Sequence, residues 1–222
     1  MPLLVLVRHG QASFGSADYD VLSPVGRQQA QMTAAALSAA GLDAARIITG
    51  SLRRQRDTAE AIADTYGLSP TVDERWNEYD ADPVLAHHSD SAQRLEHPAG
   101  PEAVPSSPRE FQAVLERALD SWIRAGADSP TAETWPAFNE RVNAALQAAG
   151  TAGPGTTVVV SSGGVIGALA VSLIGVDPAS FPRLNRVTIN CGITRIIFGS
   201  SGTTLVSFNE QGHLGGGMLT YR

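Results

Sequence analysis

Two stretches, Leu3–Val7 and Thr156–Ser161, are continuous apolar or β-branched runs rather than alternating ones. Such a run describes a strand buried on both faces, which needs a helical layer above and below it. The segments around these runs fit that demand. Ser23-Pro24 opens a helix as N-cap and first-turn proline, and Gly41 stops it. Arg46–Thr49 reads as a second short strand, and Ser51–Tyr66 as a helix ended by Gly67. After Thr156–Ser161 a helix is expected from Val165 to Ile174, stopped by Gly175. Ile193–Phe198 and Thr203–Phe208 then form a hairpin around Gly-Ser-Ser-Gly. Strand and helix alternate, so the expected fold is α/β: a three-layer α/β/α sandwich with a mixed, largely parallel sheet.

Residues 80–150 depart from that rhythm. Phe14–Leu22 reads as loop, and so does 80–108, where Pro83, Pro98, Pro101, Pro105 and Pro108 break any long element. His87 and His88 fall in this stretch and are expected in a surface loop. Phe111, Val114, Leu115, Ala118, Leu119 and Trp122 then recur at helical spacing, as do Trp135, Phe138, Val142 and Leu146. Both stripes read as core packing. The chain is expected to be one domain over 1–222, with 80–150 as a helical cap insertion.

Composition narrows the partners. The net charge is −6, and all 16 basic residues are arginine, with no basic run. No nucleic-acid partner is expected. Arginine favours planar, bidentate contacts to phosphate or carboxylate. Cys191 is the single cysteine, which excludes an intramolecular disulfide and a cysteine-based zinc site. No carboxylate or cysteine partners His87 and His88 at a ligand spacing, so no metal and no cofactor are expected. The run Leu3–Val7 is too short for a signal peptide, and no stretch approaches a membrane span, so a cytoplasmic location and no membrane partner are expected.

The reactive residues gather at strand ends, where open α/β sheets bind their ligands. The first strand ends in Arg8-His9-Gly10. The second leads into Ser51-Leu52-Arg53-Arg54, and the third long run ends in Ser161-Ser162-Gly163-Gly164 at a helix start. Arginine, histidine and a helix N-terminus together make an anion site, and phosphate matches best.

Leu6-Val7-Arg8-His9-Gly10 resembles the signature of the histidine phosphatase superfamily, the phosphoglycerate mutase-like proteins. Leu22–Ala30 is similar to the family's "LTxxGxxQA", Ser51–Ala59 to "SxLxRAxxTA", Val158–Leu169 to "VVSHGGVIRAL", and Asn209–Leu214 to "NxxxHL". Four segments in order make the resemblance specific. It implies a small phosphorylated substrate, with His9 as the nucleophile that carries the phosphoryl group. Arg8 and Arg54 would hold the phosphoryl oxygens. Glu78, in Trp76-Asn77-Glu78, takes the place of the general acid, with Glu74 and Asp80 as rivals. Gln11, Ser13, Ser162 and Gly163 are further candidates for phosphate or substrate contact. Arg53 and Arg56 flank Arg54, and one of the three is expected to face the pocket. His213 is expected to be structural, and a homodimer stays open.

The sequence departs from the family at Ser162, where the second histidine usually stands. A serine hydroxyl donates too, but it is neutral and shorter. Losing one transition-state donor typically costs about 10² to 10³ in rate. Two readings follow: a phosphatase slowed by that change, or a non-catalytic protein that binds a phosphorylated ligand. A mutase-type phosphotransferase is disfavoured, because Tyr79-Asp80-Ala81-Asp82-Pro83 does not resemble the stretch that follows the acid in the mutases.

Overall fold

A computed structural model describes residues 2–13, 20–96 and 108–221, with backbone alone for 90–96, 108 and 109. The apolar runs do form adjacent central strands. β1 (Leu3–Arg8) pairs in parallel with β4 (Thr156–Ser161), in register from Leu3↔Thr156 to Arg8↔Ser161. β2 (Ala44–Thr49) lies parallel on the other side of β4, and the short β3 (Thr71–Val72) is parallel to β2. The predicted hairpin, β5 (Ile193–Gly199) and β6 (Gly202–Glu210), joins antiparallel at β1. The order is β3-β2-β4-β1-β5-β6, a mixed sheet whose parallel pairings are at its centre.

Side chains of β1 serve both layers in turn, as a strand's period of two requires. Val5 and Val7 join Ala34 and Leu37 of α1 (Pro24–Ala39) and Ala59 and Ile62 of α2 (Arg53–Tyr66). Leu4 and Leu6 face the opposite layer. There they meet Phe138, Val142 and Leu146 of α5 (Trp135–Gly150) and Val165 and Leu169 of α6 (Gly163–Ile174). Gly67 and Gly175 end α2 and α6 with φ of 63° and 74°, a left-handed conformation that costs glycine nothing. Ser23 caps α1 as expected, accepting from Gly26 N at 3.0 Å.

The stretch after Tyr79 differs from the expectation. A 16-residue helix, α3 (Ala81–Glu96), runs through Pro83. Proline is tolerated there because it falls in the first turn, where its missing N–H has no helical partner to lose. His87 and His88 therefore lie on a helix, and His88 is buried at 4% exposure rather than in a surface loop. Its ring bonds Ser121 Oγ of α4 (Pro108–Ala125) at 3.0 Å and Ser129 Oγ at 2.9 Å. Pro98, Gly100, Pro101 and Pro105, and Phe14 to Tyr19 of the first expected loop, lie outside the described residues. α3 and α4 pack on each other, whereas α5 packs on α6 and β1 as part of the sandwich. A seventh helix, α7 (Phe181–Val187), was not foreseen and packs against α6. Among the described residues, no helix is long and apolar enough to cross a membrane.

Phe138 is fully buried among Tyr79, Trp122 and Trp135, each with its ring centroid 5.8 Å away. Phe138→Ala is expected to lower stability by about 3–5 kcal/mol in urea denaturation, through lost burial and the cavity left behind. A loss below about 1 kcal/mol would mean that this cluster does not tie α5 to the sheet.

Candidate active site

His9 sits one residue past β1. Its N–H donates to Ser161 O at 2.9 Å, and its carbonyl accepts from Asn190 Nδ2 at 3.1 Å. Gly10 is needed next because a Cβ there would lie 2.4 Å from Gly26 O. A Cβ on Gly26 would in turn lie 2.1 Å from Gln11 O, so the start of α1 presses directly on the backbone after His9. That contact explains both glycines as steric requirements.

The ring of His9 is 4% exposed and bonded on both nitrogens. Nδ1 lies 2.7 Å from Gly10 O. A carbonyl only accepts, so Nδ1 carries the proton. Nε2 then presents a lone pair, and Arg54 Nε donates to it at 3.2 Å. Burial holds the imidazole well below its ordinary pKa, and the charges of Arg54 and Arg8 act in the same direction; only the bond to Gly10 O opposes them. The ring is therefore neutral, in one tautomer, with Nε2 as the basic atom.

Arg54 is aimed by a residue that sequence reading passed over. Asp20 Oδ1 accepts from Arg54 Nη1 at 2.6 Å, while Asp20 Oδ2 accepts from the backbone N–H of Arg53 at 2.7 Å. One carboxylate thus caps the start of α2 and holds the guanidinium beside His9. Arg53 and Arg56 are exposed, so Arg54 is the arginine of the three that faces inward. Arg8 Nη1 donates to Tyr221 O at 3.0 Å and also to Thr188 O.

Glu78 faces these groups across a cavity of about 630 Å³, whose lining includes Arg8, His9, Arg54, Glu78 and Asp80. Its Oε2 accepts from Gly164 N at the start of α6, at 3.0 Å, and its Oε1 from Tyr79 N at 3.3 Å. Burial nevertheless raises the carboxyl's pKa; the Gly164 bond and the charges of Arg54 and Arg8 offset part of that rise. The loop carrying Glu78 is fixed from two sides. Arg141 Nη1 of α5 donates to Arg75 O at 2.8 Å and Asn77 O at 2.9 Å. Asn77 Oδ1 accepts from Ser51 N at 2.7 Å. Glu74 is exposed and does not line the cavity.

Other candidates lie elsewhere. Gln11 Oε1 accepts from Ser23 Oγ at 2.8 Å, and neither Gln11 nor Ser13 lines the cavity. Ser162 and Gly163 are buried behind it and do not line it either. Ser162 is fully buried, and its Oγ accepts from Gln55 Nε2 at 2.8 Å. Gln55 Nε2 also donates to Trp76 O at 3.1 Å. The serine hydroxyl is thus engaged by a buried glutamine amide, and neither residue lines the cavity. Gly163 lies under Arg8: a Cβ there would be 3.4 Å from Arg8 Nε. His213 lies outside the cavity, its Nε2 3.0 Å from Thr33 Oγ1. Among the described residues no three His, Cys, Asp or Glu side chains gather as a metal site.

Comparison with known proteins places this geometry. The family model of the histidine phosphatase superfamily (branch 1) matches residues 4–119 and 102–211. "Probable phosphoglycerate mutase GpmB" of Cronobacter sakazakii is 29% identical over 204 residues, 88% of this chain and 85% of that protein. The protein of that name in Escherichia coli strain K12 / DH10B is similar to the same extent, 29% over 204 residues. Among solved structures, Bacillus stearothermophilus YhfR superposes with a TM-score of 0.67 at 18% identity, covering 96% of this chain and 99% of that one. Phosphoserine phosphatase from Entamoeba histolytica, in complex with 3-phosphoglyceric acid, gives 0.63 at 21% identity, over 96% of this chain and 100% of that one. These likenesses are of fold.

The placement of Ser162 yields a test. Ser162→Ala leaves a Gln55 N–H without its acceptor, and stability is expected to fall by about 1–3 kcal/mol while the affinity for inorganic phosphate holds. Urea denaturation and calorimetric titration read the two effects. A loss of phosphate affinity of about tenfold at unchanged stability would put the hydroxyl on the anion instead.

Proposed function

Because the chain belongs to the histidine phosphatase superfamily (branch 1), we propose that it is a phosphatase that hydrolyses a phosphate monoester through a phosphohistidine on His9. The observation that carries this reading is the state of the imidazole. Nδ1–H is bound to Gly10 O, Nε2 is unprotonated, and two guanidinium groups flank it.

The steps follow from these atoms. A phosphoryl group entering between Arg8 and Arg54 takes the Arg54 N–H that now rests on Nε2, which frees the lone pair. Nε2 then attacks phosphorus, forming the N–P bond as the ester P–O bond breaks. The bond from Nδ1–H to Gly10 O stabilises the positive charge that develops on the ring. Glu78, protonated, gives its proton to the departing alkoxide. Water next attacks phosphorus. Glu78, now a carboxylate, takes a proton from that water, the N–P bond breaks, and inorganic phosphate leaves. Arg8 and Arg54 neutralise the phosphoryl oxygens throughout, and positioning and charge supply most of the catalysis.

Glu78 is chosen over Asp80 because its carboxyl combines burial, a raised pKa and a fixed orientation at the α6 N-terminus. α3 and α4 act as the cap that meets the leaving group, since Leu85 and Leu115 line the same cavity. Turnover without a second imidazole rests on the paired arginines. The relatives named as mutases support the alternative of phosphoryl transfer to a second hydroxyl, which the same phosphohistidine would serve. Product analysis separates the two outcomes: inorganic phosphate for hydrolysis, an isomeric ester for transfer.

His9→Ala is expected to abolish phosphate release from p-nitrophenyl phosphate in a folded protein. The active form has neutral His9 and protonated Glu78. His9 is held below its ordinary range and Glu78 above its own. kcat/KM should therefore stay high into mildly acidic pH and decline as pH rises through the Glu78 pKa. Glu78→Gln should slow an alkyl phosphate by about 10²-fold and remove the alkaline decline. A profile that rises steadily with pH, or a folded His9→Ala variant that turns over normally, would contradict the proposal.

A further inference from the structure

The lining of the cavity combines groups of opposite character. Arg8 and Arg54 flank the ring of His9, and Glu78 shares the lining. Asp80, just before α3, and Asp82, in its first turn, line the cavity too, as do Leu85, Phe111 and Leu115. Asp80 is exposed, and its Oδ1 accepts from Asp82 N at 3.1 Å, which fixes it as a cap on that helix. Neither aspartate forms an ion pair among the described residues. Among the described residues the third arginine of the lining is Arg186, which is exposed, with Nη1 3.4 Å from both carboxylate oxygens of Glu116, a surface pair that opposes its charge only in part. Once a phosphoryl group has taken up the charge of Arg8 and Arg54, the described charges left in the lining are Glu78, Asp80 and Asp82 against this shared arginine, beside the apolar Leu85, Phe111 and Leu115.

We infer that the alcohol part of the substrate is uncharged or cationic, and that Asp80 and Asp82 reject alcohols that carry a carboxylate. The inference rests on the phosphatase reading and names its substrate class. Like charges disfavour each other even when partly exposed, although water and salt reduce the effect. A carboxylated ester would have to bring its second anion to a lining with two exposed aspartates and, among the described groups, one further cation that is shared with Glu116. An ester with a hydroxyl or an ammonium there meets hydrogen-bond acceptors, and its carbon skeleton meets Leu85, Phe111 and Leu115. Specificity of this kind works by repulsion of the wrong partner as much as by attraction of the right one.

Glycerol 3-phosphate and 3-phosphoglycerate form a matched pair, since a CH₂OH in one replaces the carboxylate of the other. Their binding is measured by calorimetric titration to His9→Ala, which cannot turn them over, in low and high salt. Glycerol 3-phosphate is expected to bind about tenfold more tightly at low salt, with a smaller gap at high salt. Asp80→Asn/Asp82→Asn should close the gap by strengthening 3-phosphoglycerate binding, and asparagine keeps the helix cap. Equal or tighter binding of 3-phosphoglycerate overturns the inference. So does a gap that persists unchanged in the double variant, or no binding of either ester at millimolar concentration. Phosphate release by the wild-type protein is measured alongside. Selective binding with no release of phosphate from glycerol 3-phosphate, or from p-nitrophenyl phosphate, would leave the charge selection standing and remove the phosphatase reading.

Discussion

The parallel pairing of β1 with β4 governs the rest of the molecule. It brings Arg8 level with Ser161, so the residues after both strands emerge at one edge of the sheet. His9 is tied to that edge by its own backbone bond to Ser161 O. Because both strands are covered on both faces by the two largest apolar clusters, neither can slide without exposing a row of buried side chains. The position of the imidazole is thus a by-product of core packing: the same Val and Leu residues that fill the two layers fix where it stands.

Around that fixed point the site balances buried charges. Burial, and after it the charges of two arginines, keeps His9 neutral, which leaves a lone pair on Nε2. The arginines are themselves anchored, Arg54 by Asp20 and Arg8 by the carbonyl oxygens of Thr188 and Tyr221. Glu78 is pushed the other way, toward its protonated form, by burial. A neutral imidazole and a carboxyl with a raised pKa line one cavity, and in each case desolvation is the largest cause of the shift.

Much of this was legible in the sequence where the signal is local. Continuous apolar runs gave the central strands, and glycine after helical spacing gave the ends of α2 and α6. Arg8 and His9 stand out at a strand end, Arg54 and Glu78 were picked from neighbouring rivals through the family resemblance, and the structure brings these four to one cavity. What was not legible depends on contacts between distant segments. Asp20 acts on Arg54 from 34 residues away, and Arg141 braces Asn77 O from 64 residues away. Nothing in either neighbourhood marks them. Pro83 misled because a helix breaker is harmless in a first turn. Ser162 was expected to face the anion; Gln55, which donates to its hydroxyl, stands where the resemblance has an alanine. Asp80 was read only as a rival for the general acid, and Asp82 was given no role of its own; both line the cavity at the start of α3.

The tautomer of His9 makes a claim that chemistry can check at a single atom. Nδ1 holds a proton against Gly10 O, so the proposed attack on phosphorus would be made by Nε2. Rapid quenching of the protein with p-nitrophenyl phosphate at alkaline pH, followed by peptide mapping and ³¹P NMR, identifies the phosphorylated nitrogen. An acid-labile Nε2-phosphohistidine at His9 is the predicted species. Phosphorus on Nδ1, or on a residue other than His9, would contradict the proposed geometry of attack.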